Sequence, residues 1–393
     1  MTETKGLTRL SGKHFPALDG LRGMAIAIVL LHHFDFLLPS GSLASNVVKI
    51  VFYFGWSGVD LFFVLSGFLI TGILVDTKTS GNYFSSFYAR RILRIFPLYY
   101  AVLSIIVILD RAFYQPWFDQ TMAIRPDQIY YFLYLDNWLI LLKDSWHGNI
   151  IGHFWSLAVE EQFYLVWPLC VWLIPTRRIL KLAATGCVLA FVIRLALVAA
   201  YGPSQSIVQN TFARMDTLLA GAACAMIVRS ESMSAIVKAW LAPMIMVSGI
   251  GMIWIALIQG EVLGGRYTQT LGYSLLAAGY SALLLHLFFA QNRHSKALRL
   301  FSSGPMKAMG KYSYGIYVWH VPILTIANLF FGPIILASRN PVVPWAFVAT
   351  LFGLSFVVAE ASYQLFEKRF LALKERFEPR FESEETLLGV AVP

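Results

Sequence analysis

The 393-residue sequence predicts an all-α polytopic membrane protein, about ten transmembrane helices in one bundle with the N- and C-termini cytoplasmic. Three observations carry that expectation. Apolar residues make up 58% of the chain and charged ones 13%, against roughly 25% in a soluble domain, and mean hydropathy is +0.63. A soluble chain of this length divides into two or three cores with polar surfaces, yet no stretch longer than about thirty residues lacks an apolar segment. Finally, basic side chains cluster in short groups between apolar runs rather than along one face, a pattern that argues against a nucleic-acid surface.

Apolar runs of spanning length lie at 17–38, 48–75, 95–112, 153–174, 182–201, 212–229, 237–258, 269–290, 312–331 and 345–366. With the N-terminus inside, the inner connections collect 22 of the 31 Lys and Arg residues, and the outer ones hold six: Lys49, Arg111, Arg125, Lys143, Arg266 and Arg339. Arg22, Arg194 and Arg214 fall within spans. The bias sets the orientation. Lys5, Arg9 and Lys13 before an apolar run suggest a signal peptide, but His32, His33 and Asp35 interrupt that run and further spans follow, so residues 1–40 are expected to be retained. Cys170, Cys187 and Cys224 lie in apolar runs without metal or redox spacing and read as packing residues. The connection 113–152, with Tyr130, Tyr131, Tyr134, Trp138 and Trp146, is expected to carry a short interfacial helix and to cover an outward-facing site. The tail 371–393 is charged and short, which leaves chemistry to the bundle.

Charge within a span costs roughly 2.5–3.5 kcal/mol at the helix centre, so each retained polar residue there is a functional candidate. Arg22 and His33 are eleven residues apart in the first span, which puts them within about 20° on one helix face and about 16 Å apart along the axis. His32 points about 100° away from His33, so His33 is the expected partner of the Arg22 face, and a neutral imidazole there suits a general base. A histidine bonded between helices suits the same position. If 87–97 is helical, Arg91 and Arg94 share a face and offer two planar forks to phosphate, although anchoring at the inner surface would also place arginines there. Glu160, Glu161 and Gln162 in the fourth span must face a cavity or partner. Asp60, Arg214, Asp216 and His320 also sit inside spans, where helix pairing and substrate contact are both open to them, while Glu367 needs no more than the end of the tenth span.

Taken in order, Arg22 with His33, Gly58-Val-Asp-Leu-Phe-Phe-Val-Leu-Ser-Gly-Phe-Leu-Ile70, Arg91 with Arg94 before Pro97, Trp155-Ser-Leu-Ala-Val-Glu-Glu-Gln-Phe-Tyr164 and Tyr314-Gly-Ile-Tyr-Val-Trp-His320 resemble the acyltransferase 3 family of membrane O-acyltransferases, which includes O-acetylases of bacterial surface polysaccharides. The resemblance covers nearly the whole chain, with 1–370 as the transmembrane acyltransferase domain and 371–393 as a cytoplasmic tail. It implies a multi-pass protein of the bacterial cytoplasmic (inner) membrane, an acyl-CoA donor, usually acetyl-CoA, entering from the cytoplasm, and an outer acceptor hydroxyl on a carbohydrate such as lipopolysaccharide O-antigen, exopolysaccharide or peptidoglycan. Catalysis is carried onto His33, and donor binding onto Arg22, Arg91 and Arg94. Some members add an extracellular hydrolase-like domain, which is not expected here.

The expected mechanism has His33 remove the proton of a sugar hydroxyl as it attacks the thioester, with Glu160 or Glu161 orienting His33 or the sugar. Asp60, Trp155, Arg214, Asp216 and His320 are the candidate substrate contacts. An acyl-enzyme on Ser66 or Ser156 is a variant, but neither serine has a base at motif spacing. No bound cofactor, metal or nucleic-acid partner is expected beyond the donor, the acceptor and membrane lipid. A proton-coupled transporter or a lipid-linked sugar flippase would use the same intramembrane polar residues, although no inverted repeat is visible. Acetyl-CoA turnover separates the first reading from these two.

Overall fold

The computed structural model describes residues 15–38, 43–112, 127–143, 150–259, 264–291, 295–338, 340 and 342–381. Lys5, Arg9, Lys13, Arg125, Trp146, Arg293, Arg339 and residues 382–393 lie outside them. Among the described residues there is no strand, and the order is α1 Pro16–Phe34, α2 Leu43–Tyr53, α3 Gly58–Thr77, α4 Tyr83–Ala112, α5 Gln128–Phe132, α6 Asp136–Lys143, α7 Trp155–Leu173, α8 Thr176–Tyr201, α9 Gln205–Gln209, α10 Thr211–Ile227, α11 Glu231–Gln259, α12 Tyr273–Ala290, α13 Lys296–Phe301, α14 Gly304–Leu336, α15 Val342–Ser362 and α16 Lys368–Ala372.

Each of the ten expected spans falls on helix, the second, 48–75, covering the end of α2, a 3-10 turn over Phe54–Ser57 and nearly all of α3. Eight described helices are long and apolar enough to cross a membrane: those beginning at Pro16, Val47, Tyr83, Thr176, Glu231, Thr268, Gly304 and Val342. The other two are α7 and α10. Glu160, Glu161 and Gln162 lower the hydropathy of α7, and α10 is 17 residues long and carries Arg214 and Asp216. Their polar groups meet protein rather than lipid: Arg214 and Asp216 are buried within α10, and Glu160, Glu161 and Gln162 lie in the covered half of α7, whose other half turns Leu165, Val166 and Leu173 outward. Likewise, α11 turns Ile250, Ile253 and Leu257 outward, with Leu257 78% exposed, as a lipid-facing helix requires.

The closest helix contacts rely on glycine. Gly67 of α3 lies against the Leu218 carbonyl of α10, and Gly221 of α10 against the Val64 carbonyl of α3. A Cβ at either position would collide with that backbone, so these two glycines set how near the helices come. Gly23 and Gly310 do the same for α1 and α14, against Met306 and Asp19.

The third helix begins at Tyr83, twelve residues before its expected span, and carries Arg90, Arg91 and Arg94 as helical residues. At the other end of the chain, the helical run of α15 and α16 continues through residue 370 to Phe377. The segment after it lies on the start of α4. Ser86 Oγ donates to the Phe377 carbonyl at 2.7 Å and Asn82 Nδ2 to the Glu378 carbonyl at 2.9 Å. Gly81 N donates to the Arg380 carbonyl at 3.0 Å, and Arg380 N to Asn82 Oδ1 at 2.8 Å.

Among its described residues, the connection after α4 holds the short helices α5 and α6. Gln162 of α7 fastens it: its amide donates to the Tyr134 carbonyl at 2.7 Å and to Asn137 Oδ1 at 2.9 Å, while its oxygen accepts from Trp138 Nε1 at 3.1 Å and from Thr211 Oγ1 at 2.5 Å. Tyr134 has φ +54°, a left-handed conformation that a non-glycine residue holds only when its surroundings impose it. The Asp136 carboxyl beside it is 2% exposed, and burial pushes its pKa up to about 7.

Candidate functional site

Three cavities follow one another through the bundle, linked by shared walls. The first, about 570 Å³, is the basic mouth, where α1, α4, α14 and the chain after α15 bring together Arg22, Arg90, Arg91, Arg94, Lys307, Lys311 and Lys374 with Asp19 as the carboxylate. Arg22 Nη1 is 3.4 Å from Asp19 Oδ1. Arg91 stacks its guanidinium over the rings of Phe87 and Tyr164, at 6.0 and 5.5 Å. So dense a set of cations repels itself, and a polyanion relieves that repulsion.

Arg22, Arg91 and Arg94 also line the second cavity, about 130 Å³, in the middle of the bundle. Its walls are Phe62, Phe63, Leu65 and Leu69 with the polar groups of Ser66, Ser156, Glu160, Tyr164, Tyr314 and Tyr317. Ser66 is hydrogen-bonded to the Tyr164 hydroxyl, and Glu160 lies beside both. Ser156 Oγ is 2.5 Å from the Tyr317 hydroxyl, which in turn donates to the His153 carbonyl at 2.9 Å.

Val59 and Tyr317 form a wall of both the second cavity and the third. This outer cavity, about 290 Å³, is lined by His32, His33, His153, Trp56, Trp155, Gln205, Gln209, Arg214 and Tyr273. His33 Nδ1 lies 2.9 Å from the Val29 carbonyl one turn back. A carbonyl only accepts, so Nδ1 carries the proton and Nε2 the lone pair. The same reasoning makes His153 Nε2 a donor to the Tyr317 carbonyl at 2.9 Å and His320 Nδ1 a donor to that same carbonyl at 2.7 Å. Their other nitrogens, His153 Nδ1 and His320 Nε2, are buried without a hydrogen-bond partner among the described residues. The three rings pack edge to face, with His33 4.7 Å from His320 and His153 4.8 Å from His320 between centroids.

Three buried ion pairs tie the helices together, one of them beside the outer cavity. Arg214 Nη2 meets Asp60 Oδ1 at 2.6 Å, with side-chain exposures of 2% and 0%, and its guanidinium lies 3.7 Å from the centre of the Tyr273 ring. Arg194 Nη2 meets Asp216 Oδ2 at 2.7 Å and Ser274 Oγ at 2.6 Å. Arg229 Nη2 meets Asp76 Oδ1 at 2.7 Å. Arg214 thus ties α10 to α3, Arg194 ties α8 to α10, and Arg229, just after α10, ties that turn to the end of α3, each by neutralising a carboxylate that apolar surroundings would otherwise disfavour.

The expected residues sort accordingly. Arg22 and His33 share α1 as their spacing requires, with the arginine at the mouth and the histidine in the outer cavity. His32, expected to point elsewhere, reaches the outer cavity too, because that cavity extends round the end of α1 towards Trp56. Arg91 and Arg94 are helical and line both inner cavities. Neither Glu160 nor Glu161 orients His33: the Val29 carbonyl does so, Glu160 faces the middle cavity, and Glu161 Oε1 is buried with no hydrogen-bond partner among the described residues. Trp155 and Arg214 line the outer cavity; Asp60 and Asp216 are set behind it in ion pairs, and His320 is fully buried against His33. Arg229, one of the 22 basic residues assigned to the inner connections, is 2% exposed and paired. Lys307, Lys311, Lys374, His153 and Tyr317 had no assigned role in the sequence. Only the charge of Arg194 in an apolar run hinted that a carboxylate must be near.

Helices enclosing a polar path, basic at one end and lined with histidine and tryptophan at the other, make this a multi-pass membrane protein with its site inside the bundle. The acyltransferase domain of the acyltransferase 3 family matches residues 15–361, and the chain belongs to that family. It is 29% identical over 380 residues to the peptidoglycan O-acetyltransferase OatA of Listeria monocytogenes, covering 92% of this chain and 57% of that protein. It is 24% identical over 380 residues to the O-acetyltransferase OatA of Staphylococcus aureus strain NCTC 8325, covering 93% and 59%. The chain thus spans rather more than half the length of these relatives. No solved structure matches it.

Proposed function

We propose that this protein is a membrane O-acyltransferase that takes an acyl group, acetyl first, from cytoplasmic acyl-CoA and passes it to a hydroxyl of a glycan on the outer side of the bacterial cytoplasmic membrane. The observation that carries this reading is the series of three linked cavities with Arg22, Arg91 and Arg94 at one end and the lone pair of His33 at the other. With both chain ends cytoplasmic, the arginine mouth opens inward and the histidine cavity outward. The arginines hold the donor phosphates, and the pantetheine arm runs through the middle cavity over the roughly 16 Å of α1 between Arg22 and His33. His33 Nε2 accepts the proton of the acceptor hydroxyl while its oxygen attacks the thioester carbonyl. The carbon–sulfur bond breaks, and the thiolate leaves inward and is protonated there. Direct transfer fits best, because Ser66 and Ser156 line the middle cavity, apart from the His33 ring.

The faces of Trp56, Trp155 and Tyr273 and the amides of Gln205 and Gln209 suit a sugar ring. The names of the relatives make peptidoglycan the first acceptor to try, followed by O-antigen and exopolysaccharide. The test is transfer of labelled acetyl from acetyl-CoA to these glycans by protein in liposomes. His33→Ala is expected to lower transfer about 10²- to 10⁴-fold without loss of folding. A variant as fast as wild type would refute the base. Arg91→Ala with Arg94→Ala is expected to raise the donor KM and leave the acceptor KM unchanged; an unchanged donor KM returns these arginines to anchoring.

A further inference from the structure

A fourth cavity, about 410 Å³, opens beside the basic mouth and shares Ile73, Arg90 and Arg91 with it. Its remaining wall has a different character. Phe87 comes from α4, and Pro379 and Phe381 from the segment that returns over the start of α4 after Phe377. This strap is held by the four hydrogen bonds from Gly81, Asn82, Ser86 and Arg380, each of which involves its backbone, so its course does not depend on packing by Phe381. Phe381 itself is 53% exposed, a large aromatic ring lining a recess that Ile73, Thr77, Ser86 and Phe87 also line. Glu378 is the one carboxylate lining the recess, an acceptor suited to an exocyclic amine.

We propose that this recess seats the purine ring of the acyl-CoA donor, with Phe381 and Phe87 as its aromatic walls, and that the mouth next to it takes the three phosphate groups. The assignment rests on the donor reading above and deepens it. Arg90 and Arg91 line both compartments, so a base in the recess and its phosphates in the mouth are immediate neighbours. Lys307, Lys311 and Lys374 add ammonium groups on the far sides of the mouth. Lys374 precedes the strap by a few residues, so the same chain segment supplies a phosphate contact and the cover of the base. Planar π faces stack on aromatic side chains whatever the base, and the hydrogen-bonding edge is then read by a group such as Glu378.

The experiment measures binding of CoA and of adenosine 3′,5′-bisphosphate to the full-length protein in nanodiscs, for wild type, Phe381→Ala, Phe381→Tyr and Asn82→Ala. Asn82→Ala removes two of the four strap bonds. Phe381→Ala and Asn82→Ala are expected to weaken both ligands by the same factor, about tenfold, and Phe381→Tyr to bind like wild type. Thermal melting checks that the variants remain folded. Wild-type affinity for CoA in Phe381→Ala and Asn82→Ala overturns the recess assignment alone, as does a wild type that binds CoA but not the bisphosphate. A wild type that binds neither ligand overturns the donor reading, and the assignment with it.

Discussion

Arg214 and Asp60 offer the sharpest test of the packing argument, because the pair is fully enclosed and joins two helices beside the outer cavity. Removing one partner of such a pair strands a charge and costs about 3–5 kcal/mol. The two single variants should not cost the same. In Asp60→Asn the guanidinium keeps the Tyr273 ring at 3.7 Å, a desolvated cation–π contact worth about 2 kcal/mol, which places this variant near 3 kcal/mol. Arg214→Met loses the ring contact with the ion pair and leaves Asp60 with both oxygens unpaired, which places it near 5 kcal/mol. The double variant carries no buried charge at this position and should return to within about 1 kcal/mol of wild type. Since about 1.4 kcal/mol is tenfold in an equilibrium, Asp60→Asn alone changes the folded-to-unfolded ratio by on the order of a hundredfold. Unfolding by SDS in mixed micelles, followed by tryptophan fluorescence, measures all three. Single variants within about 1 kcal/mol of wild type, or a double variant no more stable than Arg214→Met, would refute the reasoning.

Gln162→Leu removes the four hydrogen bonds that fasten Tyr134, Asn137, Trp138 and Thr211, and is expected to cost roughly 2–4 kcal/mol locally, read as faster hydrogen exchange over 130–143 with the rest of the bundle unchanged. The raised pKa of Asp136 gives that segment a pH dependence. Its folded pKa of about 7 lies above the ordinary carboxylate range, so its contribution is complete below about pH 4 and is lost as pH rises through 7. Exchange over 130–143, corrected for intrinsic rates, should therefore be slower at low pH, and Asp136→Asn should abolish the difference. Gly67→Leu drives a side chain into the Leu218 carbonyl and should lower the melting temperature sharply, whereas the same change at Gly249, where a Cβ meets nothing, should be nearly silent.

The sequence by itself determined the elements and some of their faces. All ten apolar runs became helical, because a chain in lipid must satisfy its backbone within each segment. The spacing of Arg22 and His33 placed them at opposite ends of one helix, and that of Arg91 and Arg94 set both towards the mouth, since helical periodicity is local. Only the tertiary structure decided what those faces meet. His153 and His320 come to share the Tyr317 carbonyl although 167 residues separate them, and Lys307, Lys311 and Lys374 reach the mouth from helices far along the chain. A buried charge announces that a partner exists, because leaving it unpaired in low dielectric is so costly, but it does not name the partner. Asp60 of α3 chooses Arg214 of α10 because glycine contacts at Gly67 and Gly221 bring those two helices to one separation and one register, and Asp216 on the same α10 meets Arg194 of α8. The cavities, too, are lined by helices distant in sequence, α1, α4 and α14 at the mouth and α1, α7 and α10 around His33, which only their packing brings together.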